Sequence, residues 1–201
     1  MIWESGPWRH ELAQVADRLE KRRTQRRWTQ QTSFLVERDV MVSAYAVRKL
    51  HEARKVSEKV ATSPIPVQRH QLIGQTPDIL RTDDLGAYDF EDVTTTTLTL
   101  RELCNQFIHS YVFVLAAGDD GSALDGVFVA SDRERRRAVY WVGLADLIEA
   151  FRRVAYEDIV HVEFRMNERG ERELYDMAGV DVRHQELPWS SADDDLQESP
   201  R

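Results

Sequence analysis

With 201 residues, 42% of them apolar and 31% charged, the chain is long enough to bury a core and has the balance of a soluble globular protein. No run approaches the roughly eighteen uninterrupted apolar residues of a membrane span, and MIWESGPWRHELAQ has no basic patch ahead of an apolar core, so neither a transmembrane segment nor a signal peptide is expected. The net charge of −8 is uneven: residues 1–61 carry 13 Lys and Arg against 8 Asp and Glu (net +5), the rest 14 against 27 (net −13).

Pro7 near a helix start, followed by Leu12, Val15, Ala16 and Leu19 at helical spacing, predicts an amphipathic helix over about 7–26. The basic KRRTQRR falls at its end, where the helix dipole favours cations. A second helix is expected over about 32–60, capped by Thr32 or Ser33. It is apolar on three sides, through Phe34, Met41 and Tyr45, Leu35, Val42 and Ala46, and Val36, Val40 and Val47, which places it centrally. Glu37-Arg38-Asp39 interrupts it, and buried charges need partners.

Residues 62–97, with Pro64, Pro66, Pro77, Gly74 and Gly86, read as loops with a short strand near 66–72, and Thr94 to Thr97 favour extended backbone. Thr99 and Glu102 then form a capping box for the helix in TLRELCNQFIHSY. Beyond it the period changes to two. YVFVLAA, GVFVAS and RAVYWV predict an antiparallel meander, LADLIEAFRRVA a covering helix, and DIVHVEFRMNERGERE a strand running into a turn. The fold class is therefore α+β: a helical core (7–60 and 98–111), then a meander with its helix (112–167), in one domain over 1–185. Residues 186–201 read as a disordered acidic tail.

On the quoted helix, Leu100, Leu103, Cys104, Phe107, Ile108 and Tyr111 share the core face, and Arg101, Asn105 and His109 run along its boundary at i, i+4, i+8. A cation, an amide and an imidazole in line could bind a phosphate, polarise a 2′-hydroxyl and transfer a proton. Simple boundary residues, hydrogen-bonded in place, are the competing interpretation.

Asn105-x-x-x-His109 on a helix that follows two long helices and begins Leu100-Arg101-Glu102 resembles the signature helix of the HEPN superfamily, over residues 7–60 and 98–111. That resemblance implies a compact helical bundle, in many members a metal-independent ribonuclease acting as a dimer. It implies His109 as general acid/base and Asn105 as its polar companion. The family's arginine position, just before Asn105, holds Cys104 here, so Arg101 is the candidate substitute. A plain helical member has no β-meander.

Two readings follow from the resemblance. One is a non-catalytic HEPN-like interaction module, in which Asn105 and His109 hydrogen-bond to Glu37, Arg38 or Asp39. The other is an endoribonuclease or RNA-binding protein in which Arg101 stabilises the phosphate charge. Loss of the family arginine, the acidic net charge and the acidic tail favour the first. A second copy, another protein or RNA are the expected partners, with no cofactor, no metal and no membrane.

Other features point to ordinary structure. DDGSALDG (119–126) lacks the acid spacing of a calcium loop and reads as a hairpin turn. SDRERRR (131–137) clusters four arginines and reads as a solvated loop that could also touch nucleic acid. His10, His51, His70, His161 and His184 show no metal-ligand spacing to one another or to Cys104. As the single cysteine, Cys104 excludes an internal disulfide and fits a reducing cytoplasm. Trp3, Trp8, Trp28, Trp141 and Trp189 read as core and interface anchors.

Overall fold

The computed structural model describes residues 2–25, 27–118 and 123–183. Part of the acid-rich turn at 119–126 and all of the expected tail at 186–201 lie outside these residues. The fold is α+β with an antiparallel sheet. Helix α1 (Gly6–Arg22) has Pro7 in its first turn and buries Leu12, Val15, Ala16 and Leu19, as the spacing requires.

Helix α2 spans Gln30–Glu52 and starts earlier than its pattern suggests. Thr29 is the cap, its hydroxyl accepting from the Thr32 N–H at 3.2 Å. The helix also stops earlier than the expected residue 60. Arg54 adopts a positive φ of 58°, and the Lys55 N–H turns back to the Leu50 carbonyl at 2.8 Å, which closes the last turn. A one-turn helix α3 (Glu58–Ala61), capped by Ser57, takes up the remaining residues. α2 is not enclosed on all sides: Val36, Val40, Val47 and Leu50 are buried, whereas Phe34, Val42 and Tyr45 are about half exposed.

The segment read mostly as loop supplies two long strands, β1 (Pro64–Leu72) and β2 (Tyr88–Thr99). Pro64 and Pro66 alternate with the buried Ile65 and Val67. Both prolines are tolerated because β1 gains its neighbour on the other side only from Gln68 onward, so their missing N–H groups break no ladder there. β3 (Ser110–Ala117), β4 (Leu124–Ser131) and β5 (Ala138–Gly143) form the expected meander. All five strands join one antiparallel sheet in the order β2-β1-β5-β4-β3. The helices and the meander are thus not successive blocks, since β1 and β2 precede helix α4 (Leu100–Ile108).

The helices form two tiers on one face of the sheet. α4 and α5 (Leu144–Ala155) lie against the strands, α1 packs on α5, and α2 packs on α4. One core joins Leu12, Val36, Leu50, Leu103, Phe107, Val127, Val142 and Phe151. The opposite sheet face carries a smaller cluster around Tyr88, Val112, Ala130 and Val139, covered by Leu72 and Leu85.

The late strand proves to be half of a separate ribbon, β6 (Glu157–Met166) with β7 (Arg172–Asp181). The buried Glu157 ties its base to the body, accepting from the Ser57 N–H at 3.0 Å and from the Ser57 hydroxyl. Beside it the buried Arg9 donates to the Lys55 carbonyl at 2.6 Å. Gly179 is required there: a Cβ would lie 2.5 Å from Glu157 Oε1.

On the sheet, the Trp141 indole lies across Gly126, where an added Cβ would meet indole Nε1 at 2.5 Å and the Val142 carbonyl at 2.6 Å. Because one obstacle is backbone, rotating the indole away cannot relieve the clash. Gly126→Ala should lower the free energy of unfolding by about 1–3 kcal/mol in a denaturant titration, whereas Gly6→Ala, with open space around it, should not.

Candidate functional site

The capping box starts α4 as expected. The Thr99 hydroxyl accepts from the Glu102 N–H at 3.2 Å, and Glu102 returns a carboxylate to the Thr99 N–H at 2.8 Å. These bonds, the backbone one foremost, hold the Glu102 carboxyl below its ordinary pKa. Leu100, Leu103, Cys104 and Phe107 are buried, which leaves Asn105 and Gln106 along the edge of the helix; the helix stops at Ile108, so His109 is its C-cap and Tyr111, expected on its core face, already belongs to β3.

The end of α4 is tied to the turn after β4 by two bonds. The Gln106 side-chain oxygen accepts from the Ser131 N–H at 3.0 Å, and the His109 carbonyl accepts from the Asp132 N–H at 3.1 Å. They bring Asp132 and Arg133 to the same place as His109. The result is an open cleft of about 570 Å³, lined by Arg48, Asn105, Gln106, His109 and the start of that turn.

Arg48, from α2, is the residue sequence reasoning missed. Its Nη1 donates to Asn105 Oδ1 at 3.0 Å across 57 residues of chain, while its Nε pairs with Glu52 at 2.9 Å. With its oxygen engaged, Asn105 keeps Nδ2 as the donor it can offer a ligand. His109 is exposed, and its imidazole makes no hydrogen bond among the described residues. Asp132 is held by Arg135 at 2.8 Å, and Arg135 in turn lies over the Tyr111 ring at 3.7 Å.

Arg101 is not part of this cleft. It is exposed and pairs with Glu58 at 3.1 Å, in a surface network that also takes in His51. The Glu37-Arg38-Asp39 group is separate as well. Asp39 is buried and receives Arg18 Nε at 3.0 Å and Arg38 Nη2 at 2.7 Å, whereas Glu37 and Arg38 are exposed. The structure therefore brings Asn105 and His109 together with Arg48 and Arg133. It brings neither Arg101 nor the supporting charges to them.

Cys104 is buried, and desolvation pushes its thiol up to about 12, against a smaller opposing pull from Arg48. Among the described residues no group of three His, Cys, Asp or Glu could hold a metal, and no helix is long and apolar enough to cross a membrane. No protein-family model, no curated protein and no solved structure matches the chain.

Two tests follow from this geometry. Cys104 should be inert to a chromogenic disulfide reagent in the native protein and react fully once unfolded, since only the thiolate attacks. For Asp39, burial raises the carboxyl pKa, but the bonds from Arg18 and Arg38 together outweigh it and hold it below 3.8. A depressed folded pKa gives stability that is complete above the unfolded value and lost as pH falls through the folded one. Asp39→Asn should therefore melt earlier at neutral pH and lose less stability than wild type as the pH falls below about 4.

Proposed function

We propose that the cleft at the end of α4 binds a phosphate of RNA and that His109 acts on the adjoining 2′-hydroxyl, giving a metal-independent ribonuclease of HEPN-like character. One observation carries this reading: the guanidinium of Arg48 bonds Asn105 in a cleft that also holds His109 and Arg133. Guanidinium groups match phosphate oxygens in shape and charge, and an amide N–H adds a neutral donor. Arg133, which makes no ion pair among the described residues, is available for a ligand.

The chemistry asked of these residues is limited. His109 takes the proton as the 2′-oxygen attacks the neighbouring phosphorus. The bond from phosphorus to the 5′-oxygen then breaks, and that oxygen leaves with a proton returned by the imidazolium. The products are a 2′,3′-cyclic phosphate and a 5′-hydroxyl. Arg48 and Arg133 face the charge that builds on the phosphorus oxygens, and Asn105 fixes the phosphate in place.

A second reading, a module that binds without cleaving, is favoured by a different observation. No described carboxylate orients the His109 imidazole, because Asp132 in the same cleft is taken by Arg135. An unoriented base contributes less to proton transfer.

The experiment is incubation of a mixed RNA pool with the protein in chelator, beside His109→Ala and Arg48→Ala, with binding followed separately by filter retention. The expected result is cleavage that falls about 100-fold or more in His109→Ala while RNA is still retained. Arg48→Ala should weaken retention and flatten its salt dependence. Retention without cleavage supports the binding module, and neither retention nor cleavage removes RNA from both readings.

A further inference from the structure

We infer that the outer edge of β6 is a self-association surface and that its partner is β6 of a second copy of this chain, paired antiparallel about Phe164. The inference is independent of the α4 cleft. A two-stranded ribbon is marginal by itself in water, yet this one carries a row of uncovered apolar side chains. Val160, Val162, Phe164 and Met166 are 59, 43, 56 and 64% exposed. Scattered apolar residues are ordinary at a surface, whereas a continuous row along one strand marks an interaction site. Among the described residues β6 is paired on one side only, with β7.

The sequence of β6 identifies the occupant. Two strands related by a two-fold axis in an antiparallel sheet pair each residue with one at equal distance on the far side of the centre. With Phe164 at the centre, Phe164 faces its own copy, Val162 faces Met166, and Glu163 faces Arg165, twice over. Opposite charges and apolar pairs placed directly across strands are stabilising, and like charges there are not. A centre at Glu163 or Arg165 would set like charges face to face. A centre at Val162 leaves Arg165 opposite Ile159.

Pairing along β7 is poorer. The register shift at Glu163/Phe164 leaves Tyr175 as an extra residue in the middle of β7, and such a bulge blunts an edge; β6 has its own extra residue, Val160, at the Ile159/His161 shift, so the segment of β6 that pairs is the uninterrupted 161–166. Within one chain Glu163 and Arg165 already lie 3.1 Å apart, so both charges sit on one side of the ribbon with their partners' positions adjacent. The apolar row lies on the other side. Two copies would form a four-stranded sheet in the order β7-β6-β6-β7, joined by backbone bonds, two pairs of crossed charges and an apolar seam of six side chains.

The test uses the full chain and sedimentation equilibrium. Wild type should be a dimer. Glu163→Arg alone sets two arginines across from each other at both crossed positions, and Arg165→Glu alone sets acid against acid, so each should weaken dimerisation about tenfold or more. An equimolar mixture of the two variants should regain the dimer, because each now supplies the charge the other lacks. Regain in the mixture separates a contact between chains from damage within the ribbon, since the like charges within each chain remain. A wild type that stays monomeric at roughly 0.1 mM overturns the inference. So do single variants that dimerise like wild type, or a mixture that stays monomeric. Circular dichroism melts of the variants confirm that they are folded.

Discussion

The burial of α4 between α2 and the sheet is the constraint on which the candidate site depends. Nine residues form a short helix, too short to stand alone in water. It exists because its capping box closes one end and because Leu100, Leu103, Cys104 and Phe107 are enclosed from both sides. That enclosure fixes its rotation about its own axis, and the rotation decides which polar residues emerge. Asn105 and His109 emerge at the margin facing α2 and the β4 turn, and Arg101 emerges toward α3, where Glu58 takes it.

The same constraint explains why no arginine stands immediately before Asn105. Position 104 is 2% exposed, and a guanidinium there would have to be desolvated among leucine and phenylalanine. An arginine from the upper tier reaches Asn105 instead. Arg48 keeps part of its side chain at the surface with Glu52 and reaches Asn105 from above. Burial of this kind suits arginine because its stem packs while its planar head keeps several donors free.

Much of the local structure was legible in the sequence because it rests on neighbours in the chain. The capping box at Thr99, the three-strand meander and the LADLIEAFRRVA helix all follow from spacing and appear where spacing put them, and the first helix does so except that it ends at Arg22 rather than near residue 26. What was not legible depends on long-range partners. Pro64 and Pro66 resemble breakers until β2 pairs on one side and the other side is left open. The end of α2 at Glu52 depends on one backbone angle at Arg54, which residue pattern does not encode. Asn105 and His109 could be singled out from one helix wheel. Arg48 could not, because nothing in a run ending RKLHE says that its arginine meets an amide 57 residues later. The arginine-rich SDRERRR carried a local signal for Arg133, though not for its proximity to His109.

The charge of the whole chain and the charge of the cleft are different quantities, and the proposed binding of a phosphate rests on the second. Residues 62–201 carry −13, which taken alone argues against an anionic ligand. Exposed charges more than about 8–10 Å apart are screened at physiological salt, so the sum over a segment does not set the field at one cleft. Asp132, the acid that lines the cleft among the described residues, is already engaged by Arg135 at the turn, and Glu52, outside the cleft on α2, is engaged by Lys49 and Arg48. What faces a ligand is therefore the remainder, the Arg133 guanidinium and the free donors of Arg48 and Asn105.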